Sequence, residues 1–325
     1  MDTVTLKFVD SVVELFGKDT LDQLAREVRH RHWKDVVDLH NRKRVYYEVY
    51  FRKEEDGIKH VFRNGKAKWM FQQADPSINM RTIRGKGRFT RIVNVSDLTK
   101  DRYLFNWDEV ETLGEAETSK LLETVAPLID PASGDFYSGW NSTDCTRWLL
   151  TSLCKRVHLQ KIIIPYCGQI AYDFLEDQIN NSPSLSDVTI NGGNWPKSIL
   201  DLMAKFCLKG CPRKRVNVTL SNGGETLIDS SYIQHLLDLW KENGNLYFDL
   251  CSFEHIADKK GLLAVMNKGK VTQEGYKVFS FFQHDTEKSV AVLSNDGYLM
   301  RCYTCECDMF EWCLLKNDYP DLHDF

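Results

Sequence analysis

Two similar stretches in the middle of the chain decide the predicted fold. They are LQKIIIPYC at residues 159–167 and LSDVTINGG at residues 185–193, which begins 26 residues later. Both follow the leucine-rich-repeat template L-x-x-L-x-L-x-x-N/C, although the second ends in glycine. Two weaker copies begin at Arg215 and Asn245, each 30 residues after the one before. A strand–helix unit of this size buries its apolar face only against neighbours, so the pattern predicts a row of stacked units.

Helical stretches are predicted between these strands. Apolar residues at helical spacing surround Leu175, Met203 and Leu237, and Pro196 lies where a helix tolerates proline in its first turn. The alternative is an ordinary α/β domain in which three crossover helices connect the strands of one parallel sheet.

The predicted strands carry a second set of side chains that alternation places opposite the core. Repeat proteins commonly bind partners on such extended surfaces, and aromatic side chains dominate binding energy. A solvated face without a partner is the alternative for any single residue. We expect Ile163, Thr189, Thr219 and Asp249 to form one row. The predicted substrate-protein-binding residues are Lys161, Ile163, Asp187, Thr189, Asn191, Asn217, Thr219, Tyr247 and Asp249.

The flanking segments have different periods. Residues 4–40 show three short apolar stripes at helical spacing, and residues 44–63 alternate as a β-hairpin around Asp56-Gly57. A polar spacer over residues 76–87 is predicted as a loop. Beyond Ala257 three strands are expected, with Asn295-Asp296-Gly297 as a hairpin turn. The predicted fold is therefore α/β. Its parts are a helical segment at 1–42, a hairpin and strand–helix repeat body at 43–257, and an antiparallel β-rich cap at 258–325.

The N-terminal sequence is similar to that of a known family. The stretch FVDSVVELF at residues 8–16, the pair Leu21 and Leu24, and Trp33 resemble an F-box, and the whole layout resembles a nematode-expanded set of F-box-like proteins. The specific likeness covers residues 8–49, and the chain has Leu6-Lys7 where the motif usually has Leu-Pro. The resemblance implies a substrate receptor of a cullin-RING ubiquitin ligase, which binds an Skp-type adaptor and positions a protein substrate.

The apolar stripes of residues 4–40 exceed what three short helices can bury among themselves. Exposed apolar patches of this kind mark interaction sites. Packing of the stripes on the strands of residues 44–63 is the alternative. The predicted adaptor-binding residues are Phe8, Val12, Leu15, Phe16, Leu21 and Leu24.

Bulk composition favours a folded protein without a nucleic-acid or membrane partner. Hydrophobic residues make up 42% of the chain, and the net charge is −4 with a pI of about 6.2. Nucleic-acid binders usually carry a basic domain instead. There is no apolar run of membrane-spanning length and no signal-like N-terminus. We therefore expect a cytoplasmic protein, with the nucleus as the alternative, whose ten cysteines are thiols.

Few motifs in the sequence indicate metal binding or catalysis. Cys302 and Cys305 have the spacing of a zinc knuckle, and Cys307, Cys313 and His323 follow. However, Cys302 falls in a predicted strand and no second C-x-x-C is present, so we expect no bound metal. No nucleotide-binding or hydrolase motif occurs, so we also expect no cofactor and no enzymatic activity. A protein-recognition adaptor is the leading prediction, a stand-alone repeat scaffold is its rival, and a hydrolase or zinc enzyme is the third class.

Overall fold

The computed structural model describes residues 5–65, 75, 77–100, 105–139, 143–221, 228–252, 256, 258–309 and 313–323. The chain has a mixed α/β fold and divides into two compact units, Met1–Leu185 and Ser186–Phe325. The boundary between the units falls inside the segment predicted as the repeat body. None of the helices that the structure describes is long and apolar enough to span a membrane.

Unit 1 contains seven helices longer than a single 3₁₀ turn and six strands among its described residues. In chain order they are α1 Leu6–Glu14, α2 Lys18–Glu27, α3 Arg31–Lys43, β1 Val45–Glu54, β2 Gly57–Asn64, α4 Met80–Arg84, β3 Thr90–Asp97, β4 Thr112–Leu113, α5 Glu115–Val125, β5 Asp135–Ser138, α6 Thr143–Leu153, β6 Lys161–Pro165 and α7 Gln169–Asn181. The strand order is β6-β5-β3-β1-β2-β4. Strands β1, β3, β5 and β6 are parallel neighbours, whereas β2 is antiparallel to β1 and to β4.

The three N-terminal helices form a small bundle with its own core. The Thr5 side chain caps α1 by accepting a hydrogen bond from the backbone N–H of Phe8. The bundle's buried side chains come from one face of each helix, as their spacing predicts. They are Val9, Val13, Leu21, Val36 and Val37.

Unit 2 contains four helices and seven strands among its described residues. In chain order they are β7 Asp187–Asn191, α8 Ile199–Cys207, β8 Val216–Ser221, α9 Ser230–Asn243, β9 Phe248–Ser252, α10 Lys259–Met266, β10 Lys270–Glu274, β11 Lys277–Gln283, β12 Ser289–Ser294, β13 Tyr298–Thr304 and α11 Leu314–Asp318. The strand order is β10-β11-β12-β13-β9-β8-β7. Strands β7, β8 and β9 are parallel, and β13 pairs antiparallel with β9.

Most predicted elements lie where the sequence placed them. The three N-terminal helices, the hairpin of β1 and β2, and the strands β6 to β9 are confirmed. The apolar template positions are buried, including Leu159, Ile162, Leu185 and Val188. The antiparallel strands β11 to β13 are also confirmed.

The loop predicted over residues 76–87 is wrong for residues 80–84, which form α4. The Asn79 side chain accepts hydrogen bonds from the backbone N–H groups of Arg81 and Thr82, and the Thr82 hydroxyl accepts one from the backbone N–H of Asn79. This capping box supplies the partners that a short helix start needs in a polar segment.

Candidate functional site

The predicted row of exposed residues on the strands has a different register in unit 2. Thr189 pairs with Thr219, which pairs with Cys251, whereas Asp249 pairs with Asn217. The expectation that Asp249 continues the row is therefore wrong, and Cys251 takes that place. A shift of two residues keeps every side chain on its original face, so the apolar pattern alone could not fix this register.

The expected exposure of Asp249 and of two further residues is also wrong. Tyr247 is only 3% exposed, and both Asp249 and Asn191 are buried. The Arg215 guanidinium lies over the ring of Tyr247, 5.5 Å from its centroid, and donates to both carboxylate oxygens of Asp249 at 2.7 and 2.5 Å. Burial raises the pKa of Asp249, and Arg215 opposes that shift. Side chains of the protein itself therefore cover the β9 end of the predicted binding face.

The remaining predicted recognition residues reach solvent at least in part. Lys161 is exposed, and Ile163, Asp187, Thr189, Asn217 and Thr219 are half-buried. Asn217 donates from its Nδ2 to the Asp187 carboxylate at 2.9 Å, which links neighbouring strands. The sequence therefore identified six accessible positions on strands β6, β7 and β8.

In unit 1, Lys161 and Ile163 line a cavity of about 630 Å³. Its wall also includes Tyr137, whose side chain is 40% exposed although it lies in the middle of β5. Tyr50 donates its hydroxyl proton to Glu48 at 2.6 Å, and burial followed by this bond raises the pKa of Tyr50. The cavity combines apolar side chains, charged groups of both signs and hydrogen-bonding groups, which suits an amphipathic ligand segment.

Tyr137 was missed because β5 was not predicted. The segment DFYS at residues 135–138 has one alternation of apolar and polar side chains, which is too short to indicate a strand by itself. The signal that the sequence offered was the pair of adjacent aromatic residues Phe136 and Tyr137.

The predicted adaptor-binding residues divide into two groups. Phe8 and Leu15 are 55% and 69% exposed, and Val12 between them is half-buried. Leu21 is buried in the bundle, and Phe16 and Leu24 pack against that core. Leu6, which the prediction omitted, is 54% exposed in the first turn of α1.

Helix α1 is held by charged contacts on its other side. Asp10 lies 2.9 Å from the His40 Nε2 and accepts two hydrogen bonds from Arg88, at 2.5 and 2.9 Å. The bonds from Arg88 are the main reason that the pKa of Asp10 falls to about 2. Arg91 donates to Glu14 at 2.9 Å. These contacts fix the orientation of α1, and its exposed apolar face points away from them.

The cysteine pair with knuckle spacing is not brought together. Cys302 and Cys305 are three residues apart on extended chain and point to opposite faces, and Cys302 is fully buried. Cys305 instead lies beside Cys307, Cys313 and His323, whose candidate ligand atoms are all within 4.8 Å of one another.

Comparisons with protein-family models, with curated proteins and with solved structures found no match for this chain. Its function must therefore be argued from its own surfaces.

Proposed function

We propose that this chain is a protein-recognition adaptor. Its N-terminal helices act as an F-box-like segment that binds an Skp-type adaptor, and its leucine-rich-repeat-like strands present the face that holds a protein substrate. The proposed architecture is completed by the β-rich C-terminal segment. The observation that carries the proposal is the exposure of Phe8 on α1 and of Leu15, the residue that directly follows α1.

Phe8 and Leu15 are seven residues apart, which is two helical turns. Leu15 keeps a helical backbone conformation directly after α1, so the two side chains lie on one face. Val12 lies between them, and the opposite face carries the buried Val9 and Val13. Large apolar side chains in a contiguous exposed stripe favour burial by a partner, at about 1.5–3 kcal/mol for each side chain fully buried. A helical partner surface with an apolar groove would satisfy this stripe.

The substrate side of the proposal rests on the cavity of unit 1. Tyr137 offers an aromatic surface, Ile163 an apolar one, and Lys161 a cation at its rim. Asp19, Glu48 and Asp135 line the same cavity, so a substrate segment that pairs an apolar residue with polar groups of either sign is complementary to this set.

The test is co-purification of the full chain with an Skp-type adaptor, comparing the wild type with a Phe8→Glu, Leu15→Glu double variant. Both side chains are exposed, so the variant retains its folded core. We expect at least a tenfold loss of adaptor affinity, because two carboxylates would be desolvated in the interface. Tyr276→Glu is the matched control, since Tyr276 is an exposed aromatic of unit 2.

A stand-alone scaffold is the second candidate, and one observation favours it. The contacts of Arg88 with Asp10 and of Arg91 with Glu14 join α1 to the β3 region, as expected for helices that only cap a repeat body. If the wild type does not bind the adaptor, the ubiquitin-ligase role is rejected in favour of this scaffold. If the double variant binds it as well as Tyr276→Glu does, the face that carries Phe8 and Leu15 is rejected as the adaptor contact.

A further inference from the structure

We propose that Cys305, Cys307, Cys313 and His323 form a structural zinc site that fastens the C-terminal segment to the sheet of unit 2. The proposal stands independently of the adaptor function. It replaces the sequence-based expectation that no metal is bound.

The four groups have the separations of a tetrahedral ligand set. The His323 Nε2 lies 3.1 Å from the Cys307 Sγ and 3.3 Å from the Cys305 Sγ. The four candidate ligand atoms are all within 4.8 Å of one another. With metal–ligand distances of about 2.3 Å to sulfur and about 2.0 Å to nitrogen, neighbouring ligand atoms of a zinc tetrahedron are about 3.5–3.8 Å apart. Seating the ion would therefore move the His323 Nε2 by a few tenths of an ångström from the two sulfurs, and would shorten any separation near the 4.8 Å limit by about 1 Å.

Three different local structures bring the ligands together. Cys305 directly follows β13, and its backbone N–H donates to the Lys288 carbonyl of the preceding β12 segment at 2.8 Å. Cys313 is the residue before α11, and His323 follows the 3₁₀ turn Pro320–Leu322. Cys307 is exposed, so its thiol adds nothing to the hydrophobic core. Core packing therefore does not explain why three thiols and one imidazole from separate turns come together.

The donor set selects zinc by its chemistry. Thiolate sulfur and imidazole nitrogen in a closed set of four are the ligands of structural zinc sites. The backbone N–H of Glu306 points at the Cys313 Sγ at 3.4 Å, the kind of outer contact that supports a metal-bound thiolate.

The site has a structural consequence because the segment that it fastens covers one face of the sheet. Tyr319 packs on Tyr303 and on Phe281, with ring centroids 5.3 and 5.5 Å apart. Leu315 is buried in the same apolar cluster as Tyr247. The ion would tie both ends of this segment to the end of β13, and so keep these side chains in place.

The experiment uses the full chain, produced in zinc-supplemented medium and purified without chelator. Elemental analysis of the wild type should find about one zinc per chain. Cys307→Ser and His323→Ala should lose it, whereas Cys211→Ser and His235→Ala, an exposed cysteine and an exposed histidine of the same unit, should retain it. Equal zinc in all five proteins, or none in the wild type after incubation with zinc, would overturn the proposal.

A second measurement covers variants that fail to fold. Cobalt replaces zinc in the wild-type chain, and a tetrahedral thiolate site gives a strong sulfur-to-cobalt charge-transfer absorption together with intense ligand-field bands. A weak octahedral spectrum would contradict the proposal. Hydrogen exchange of the wild type should also show faster exchange in α11 after chelation, with β7 and β8 unchanged; unchanged protection of α11 would refute the fastening role.

Discussion

Arg44 should be the residue whose loss most weakens the attachment of α1. It lies directly after α3 and is only 2% exposed. Its guanidinium donates to three backbone carbonyls at the end of α1, those of Val13 at 2.8 Å, Glu14 at 3.0 Å and Phe16 at 2.5 Å. The Val13 carbonyl also accepts a bond from the backbone N–H of Phe16 at 3.2 Å, whereas the Glu14 and Phe16 carbonyls lie at and beyond the end of α1, where helical partners run out. Arg44 therefore acts as a side-chain cap for α1 from a neighbouring element.

The expected cost of Arg44→Met follows from these bonds. A hydrogen bond to a charged group contributes about 1.5 kcal/mol at the low end, so three correspond to about 4.5 kcal/mol. Methionine also removes the desolvation penalty of the buried cation, which offsets part of the loss. We expect a net loss of about 3 kcal/mol in the free energy that holds α1 in place.

Hydrogen exchange with mass spectrometry measures this local opening directly. A loss of about 3 kcal/mol should accelerate exchange of the α1 amides by about 100-fold, since 1.4 kcal/mol is about tenfold. Arg42→Met is the matched control, because the exposed Arg42 bonds only the Asp38 carbonyl of its own helix. Equal protection of α1 in the two variants would refute the capping role of Arg44.

Two further predictions concern pH and close packing. Burial lowers the pKa of His60 from 6.5 to about 4, so the unfolded chain takes up a proton at a higher pH than the folded chain does. The stability that neutral His60 provides above pH 6.5 is therefore lost as the pH falls toward 4, by up to about 3 kcal/mol. Urea titrations should show a smaller pH dependence over this range in His60→Phe than in the wild type, and identical curves would contradict the assignment. Gly210→Ala should destabilise unit 2 by about 1–3 kcal/mol in thermal melting, because a Cβ there would overlap the Tyr247 carbonyl. Gly297→Ala, whose Cβ meets only ordinary contacts, should change stability by less than about 0.5 kcal/mol, and similar losses in both variants would count against the steric explanation.

The sequence located the strand–helix segments well because their signals are local. Leu159, Ile162 and Ile164 have a spacing that both the repeat template and the core require, and all three are fully buried. The three N-terminal helices were equally clear from the spacing of Val9, Val13 and Val37. Periodicity, helix caps and turn residues act over a few residues, so one sequence suffices to detect them.

The register of β9, and the burial of the side chains on its face, depend on contacts between residues that are distant in sequence. The alternation that buries Phe248 and Leu250 is the same before and after a shift of two residues. Tyr303 and Arg215 approach Tyr247 and help to bury it, and no local pattern near Tyr247 indicates either residue. The cysteine cluster has the same origin, because irregular spacing concealed a convergence that the turns after β13 produce.

These tertiary contacts also change which part of the strand face can bind a partner. In unit 2 the segment that carries Leu315 and Tyr319 packs over the apolar cluster of β11, β12 and β13, whereas Thr189 and Thr219 remain half-buried. The zinc ligands lie at both ends of that segment, so the proposed ion would decide how much of the face of unit 2 is closed. Recognition by this unit is then confined to β7 and β8 while the segment is fastened. A partner that binds the wild type only after chelation would have to contact the surface around Tyr303. The variant Tyr303→Ala would then weaken binding of that partner, and would leave intact any zinc-independent binding at Thr189.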